Sequence, residues 1–199
     1  MKKIVILIFC LLALGASVFA YDMSVGFGGT FGIVKDRWEA PDEYKNDPEH
    51  DFDSDIDFTR MQFGGFGFFG TRYTEFSFTV RVSRNNLVYT DRAYSNPDRE
   101  IDDTTIMLSV GAYGKRPFSL GKSFDLFPTI GVDFDAVDWV IYIWFRGGLG
   151  LDLFVTERSF IRGQALYGYG ISLLSNDNSY KPITPGHGPL FKLGVGWMF

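Results

Sequence analysis

From residue 21 to residue 199 the chain alternates apolar and polar side chains two by two, in eight separate runs. "DMSVGFGGTFGI" sets Met23, Val25, Phe27, Phe31 and Ile33 against Ser24, Gly26, Gly28, Thr30 and Gly32. "TRMQFGGFGF" sets Met61 and Phe63 against Arg60, Gln62 and Gly64, and "TEFSFTVRVSR" sets Phe76, Phe78, Val80 and Val82 against Glu75, Ser77, Thr79, Arg81 and Ser83. The runs around Leu108, Val132, Leu149 and Tyr167 repeat the pattern, and so does the closing "PLFKLGVGWMF". A period of two is that of a β-strand with unlike faces. No helical period follows residue 20. Eight strands without helices predict an antiparallel meander. The connections after the second, fourth and sixth strands ("GTRY", "YGKRPFSLGKS", "TERS") are tight. Those at 34–57, 85–103 and 174–189 are long, and the one near 136–139 is short. Tight turns at one end and long connections at the other predict an all-β, eight-stranded up-and-down barrel.

The first twenty residues stand apart from this pattern. "MKK" followed by an apolar stretch over residues 4–14 and by "ASVFA" reads as a cleaved signal peptide, 1–20, leaving one barrel domain over 21–199. The only cysteine, Cys10, lies in that leader, with Phe9 where a lipoprotein site needs a small residue, so the barrel itself carries no disulfide. Without Lys2 and Lys3, 17 cations face 24 acids, a net charge of −7. That balance argues against a nucleic-acid partner. Mean hydropathy is +0.02, with no run long enough for a transmembrane helix.

Alternation alone does not say which face points inward. A soluble lipocalin-like barrel turns its apolar face in; a membrane barrel turns it out to lipid and fills the lumen with polar groups. Three features favour the second. The polar face is rich in glycine, which makes room in a narrow interior and packs nothing on a solvated one. Aromatics (Tyr21, Phe69, Tyr73, Trp139, Trp197, Phe199) gather at strand ends, as in an interface girdle. And the chain ends on an apolar stripe, Phe191, Leu193, Val195, Trp197 and Phe199, with nothing after it to cover it. That terminal strand resembles the ending of the small eight-stranded outer-membrane proteins of the OmpA/OmpX/OmpW type, and the Tyr- and Phe-rich composition resembles that of spirochaete surface proteins. The first resemblance implies a bacterial outer-membrane location, lipid as the surrounding partner, and recognition of those five residues by the barrel-assembly machinery. It also implies a noncatalytic surface role, with exposed loops for adhesion or contact with host surface molecules.

On the polar face Arg60, Glu75, Arg81, Asp125, Asp133, Arg146, Asp152, Arg162 and Lys192 form a candidate charge network, five positive and four negative. Charges in so narrow a space are expected to pair, because an unpaired buried charge is heavily penalised; a gate or narrow ion path is the sharper alternative. "EHDFDSDIDF" lacks the glycine and glutamate of a calcium loop, with Ile56 and Gln62 in their places, so no metal site is expected. Residues 34–57 hold ten acids and three bases and read as a solvated acidic loop. His50 and His187, both placed in long loops, fix no triad with Asp102 and a serine, so neither an enzyme nor a cofactor is expected. Two alternatives remain open. The OmpW resemblance suggests a site for small hydrophobic molecules, with Phe127, Tyr142 and Trp144 as lining; the other is a soluble binding barrel.

Overall fold

The computed structural model describes residues 22–39, 56–89, 101–137, 140–173 and 181–199, and side chains within 22–37, 59–84, 104–136, 141–173 and 185–199. The leader, Cys10, His50, Trp139 and the aspartates of residues 51–55 lie outside the described residues. Eight long strands, β1 (Ser24–Glu39), β2 (Ile56–Gly70), β3 (Thr74–Tyr89), β4 (Ile101–Lys115), β6 (Phe124–Val137), β7 (Val140–Phe154), β8 (Ser159–Ser172) and β9 (Lys181–Met198), run antiparallel to their neighbours. A two-residue strand, β5 (Phe118–Ser119), sits in the turn between β4 and β6. Each long strand pairs with the next, and β1 pairs with β9 and β4 with β6, so the sheet is a closed eight-stranded barrel.

Tight turns at one end are built by short polar residues. Thr71 Oγ1 accepts from the backbone N–H of Tyr73 and Thr74 (3.2 and 3.1 Å), and Thr156 Oγ1 accepts from those of Arg158 and Ser159 (3.2 and 3.0 Å). A threonine hydroxyl thus replaces the missing ladder partner in both hairpins. Gly121 supplies the left-handed φ of +86° in the third.

The registers fix the shape. Following paired residues from Val25 through Phe69, Phe76, Ala112, Val132, Phe145, Tyr169 and His187 returns to β1 at Lys35, ten residues further on. A stagger of ten over eight strands tilts them by about 40° and gives a radius of about 8 Å. Each residue then rises roughly 2.5 Å along the axis.

Which face lies inside follows from burial. Phe78 is 53% exposed, Val110 51% and Leu193 66%, whereas Glu75, Arg81 and Arg162 are 1–2% exposed. The greasy side of every long strand faces out and the ionic side faces in. Large rings that do turn inward rest on glycines. A Cβ on Gly26 would lie 2.3 Å from the Phe68 ring, one on Gly196 2.4 Å from Phe160, one on Gly150 2.2 Å from Phe127 and one on Gly170 2.5 Å from Trp144. Glycine on the inner face is therefore the space that those rings occupy.

The strands outrun the alternating runs. β1 continues to Glu39 and β2 begins at Ile56, so the acidic connection is 40–55 rather than 34–57; the second long connection contracts to 90–100. β9 begins at Lys181, not after Pro189, and so His187 is a strand residue, not a loop residue. Hydrogen-bonded pairing needs no apolar face, so the ladder runs on beyond the greasy belt. Register shifts between β1 and β9 on either side of Arg37 lie beside Pro182, where a ladder donor is missing.

Candidate functional site

The interior is the candidate site. Among the described residues it buries six cations (Arg60, Arg81, Lys115, Arg146, Arg162, Lys192) and five carboxylates (Asp36, Glu75, Asp133, Asp135, Asp152). They stack in tiers along the axis because each strand contributes alternate residues and the stagger offsets each strand from the next.

At the turn end, Arg162 donates through Nε and Nη2 to Asp152 Oδ1 and Oδ2 (2.7 and 2.6 Å) and through Nη1 to Glu75 Oε2 (2.5 Å). Lys115 Nζ stands 3.5 Å from the same Glu75 oxygen, and Gln164 Nε2 lies 3.3 Å from Oε1. The Arg162 guanidinium also lies 4.6, 4.8 and 5.3 Å from the ring centroids of Phe68, Phe160 and Phe127. Bidentate pairing and ring faces together satisfy the head of a buried arginine.

The next tier is different. Lys192 is 3% exposed and makes no ion pair among the described residues. Its ammonium donates to Ser77 Oγ (3.3 Å) and faces the rings of Tyr113 and Phe66 at 4.6 and 5.5 Å. Above it, Asp133 accepts from Arg146 Nε (2.6 Å) and from the Tyr113 hydroxyl (2.5 Å), and Arg146 lies 4.5 Å from the Trp144 ring centroid. Then Arg81 bridges Gln62 Oε1 (2.9 Å) and Asp135 Oδ1 (2.8 Å). At the far end Arg60 pairs with Asp36 and lies 5.3 Å from the Tyr142 ring. Among the described residues, most buried polar atoms without a hydrogen-bond partner lie in this upper half, among them Asp36 Oδ1, Arg60 Nε, Gln62 Nε2, Arg81 Nε, Asp135 Oδ2, Trp144 Nε1 and Arg146 Nη2; Gln164 Oε1 is one in the lower tier.

Of the nine network residues read from the sequence, eight lie buried in these tiers. Asp125 does not join them: it is half-buried on the wall of a cavity of about 570 Å³ that opens at the turn end. The floor of that cavity includes Lys115, Phe127, Asp152 and Arg162. Sequence reasoning missed Asp36, Lys115 and Asp135. Each continues the inward parity of its strand (Val34 to Asp36, Tyr113 to Lys115, Asp133 to Asp135) past the point where the apolar alternation stops.

The three aromatics proposed as a ligand lining are not brought together. Tyr142 and Trp144 pack with Val34 in the upper half, and Phe127 sits at the opposite end beside Lys115 and Arg162. The terminal stripe Phe191, Leu193, Val195, Trp197 and Phe199 faces outward, 37–82% exposed. His187 stacks on Tyr169 at 6.3 Å opposite Lys35, and its Nδ1 lies 3.4 Å from the carbonyl of Pro185. No carboxylate or serine among the described residues is paired with it. No group of three His, Cys, Asp or Glu side chains among the described residues is arranged to hold a metal ion.

A closed sheet with an apolar outer belt and ion pairs within is the build of a barrel suited to lipid. Comparison with solved structures gives the same fold. The chain is similar to the outer membrane protein OprG from Pseudomonas aeruginosa, with a TM-score of 0.51 at 11% identity, covering 91% of this chain and 97% of that one. Neisserial surface protein A (NspA) aligns with a TM-score of 0.44 at 14% identity over 89% of this chain and 97% of that one. The Yersinia pestis outer membrane protein Ail aligns with a TM-score of 0.33 at 14% identity over 86% and 99%. The fold is that of the small eight-stranded outer-membrane barrels. No family model matches the chain, and no curated protein matches it.

Proposed function

We propose that this protein is an integral outer-membrane barrel with a sealed, noncatalytic body, and that its work is done by the long connections at the end opposite the tight turns. The observation that carries this reading is the inverted burial: Phe78 and Leu193 exposed, Glu75, Arg81 and Arg162 enclosed. In water such a surface would aggregate; in hydrocarbon it is the stable arrangement. The interior supports a structural role, because its carboxylates are committed to arginines, lysines and a tyrosine rather than to one another or to a nucleophile. Below the Lys192 tier the rings of Phe68, Phe127 and Phe160 pack around Arg162, which favours a plug over an ion path. The long connections, rich in acids and outside the bilayer in this reading, are the segments offered for adhesion or contact with a host surface. The terminal strand is the segment offered to the assembly machinery.

Fractionation of cells expressing the protein tests the location. The expected result is recovery with outer membranes and a band that shifts on a gel only after boiling. Recovery in the aqueous periplasmic fraction would overturn it. Planar-bilayer recording of the purified protein tests the plug, with no discrete openings expected.

A further inference from the structure

Charge is unevenly shared between the connections at the two ends. All three tight turns carry exposed cations: Arg72 in the first, Arg116 and Lys122 in the second, Arg158 in the third. Against these four stand two exposed acids, Asp22 and Glu157. The segments 40–55, 90–100, 138–139 and 174–180, which join strands at the other end, carry twelve acids against three bases. The cations stand at the edge of the apolar belt, beside exposed Tyr73, Phe118 and Leu120. The Arg116 guanidinium lies 5.6 Å from the Phe118 ring centroid, and Arg72 Nη2 donates to Ser119 Oγ (3.4 Å). An arginine laid along a ring at the rim of a greasy surface keeps its stem in hydrocarbon and its head at the depth of lipid phosphates.

We propose that Arg72, Arg116, Lys122 and Arg158 form a collar that enriches phospholipids with anionic phosphate headgroups around the turn end of the barrel, while the acidic opposite end disfavours them. Rim position makes the contact with headgroups unavoidable once the barrel spans a bilayer, so the inference rests on the membrane-spanning reading. The sign of the collar then selects among lipids. Zwitterionic headgroups gain little from it, and anionic ones gain from four cations whose rim partners are too few to neutralise them.

Trp197, 41% exposed on β9 and paired with Ser159 beside Arg158, reports on this end, and Trp144 is shielded at 1% exposure. The protein carrying Trp38→Phe and Trp139→Phe is reconstituted in phosphatidylcholine vesicles at low salt. Acyl-brominated phosphatidylglycerol or phosphatidylcholine is then added as quencher. Brominated phosphatidylglycerol is expected to quench Trp197 at about half the mole fraction that brominated phosphatidylcholine requires. High salt, or the joint change Arg72→Gln, Arg116→Gln, Lys122→Gln and Arg158→Gln, is expected to bring the ratio to one. The salt series needs no variant at the collar, so it decides the matter if the fourfold variant does not fold. Equal quenching at low salt, or a preference that survives in the folded fourfold variant, would overturn the collar. Absence of quenching by either lipid would instead overturn the membrane-spanning reading.

Discussion

Val110 offers the sharpest test of the inside-out arrangement. It faces outward on β4 at 51% exposure, six residues from Thr104 and six from Arg116, the exposed polar residues that bracket it. With a rise of roughly 2.5 Å per residue, each bracket lies about 15 Å away along the axis, which puts Val110 near the middle of an apolar belt about 30 Å tall. An arginine at the middle of a bilayer costs a barrel about 2–4 kcal/mol, falling to about 0–1 at the interface. Val110→Arg should therefore lower stability by about 3 kcal/mol, roughly a hundredfold in the folding equilibrium constant, and Thr104→Arg by less than about 1. The assay is urea unfolding and refolding in fluid phosphatidylcholine vesicles, followed by tryptophan fluorescence and heat-modifiable migration. If the same face met water, an exposed valine would exchange for arginine within about 0.5 kcal/mol. A Val110→Arg protein within that margin of the parent would refute the orientation and the lumen reading with it.

The interior makes further predictions. Arg162→Ala strands Asp152 as a buried carboxylate, leaving Glu75 to Lys115, and should cost about 3–5 kcal/mol; adding Asp152→Asn should recover most of it in the same urea assay. Lys192→Met removes an ammonium with no carboxylate at ion-pair distance among the described residues, so it should cost less than about 1 kcal/mol or stabilise, unlike Arg162→Ala. Gly64→Ala would place a Cβ 2.0 Å from the Val80 carbonyl oxygen, forcing β2 and β3 apart, and should cost more than about 2 kcal/mol. Gly163→Ala meets no atom within 4 Å and should be neutral or stabilising by about 0.5–1 kcal/mol.

The sequence declared the strands and their faces plainly where one face had to be apolar. Runs such as Phe76 to Val82 could be assigned residue by residue because lipid demands the same chemistry at every outward position. The signal faded where that demand ended. Lys35, Asp36 and Arg37 continue β1 as a paired strand without an apolar face, and a run of charges has the look of a loop. Phe127, Tyr142 and Trp144 were legible as inward aromatics, but Phe66 and Phe68 carry no mark that separates them from outward Phe63 and Phe69 except parity counted across Gly64 and Gly65. The ion pairs were beyond reach for a geometric reason. Arg162 meets Glu75 across the lumen, 87 residues away in the chain, and only the stagger of ten brings them to one height. Composition implies that such charges pair; the register decides which ones do.

The pairing of β1 with β9 has a consequence for how the molecule is threaded. The Phe199 amide donates to the Met23 carbonyl at 2.9 Å, so the two ends of the barrel domain abut at the turn end. A short peptide bridge there, with a cut between 90 and 100, would give a circularly permuted chain that begins on β4 and ends on β3. Nothing in the ring distinguishes one seam from another once it is shut. Refolded into lipid, such a permutant should reach the same barrel, with Arg162 made before its partner Glu75 rather than after it; in the cell it would end on β3, and the stripe from Phe191 to Phe199 would no longer be its last strand.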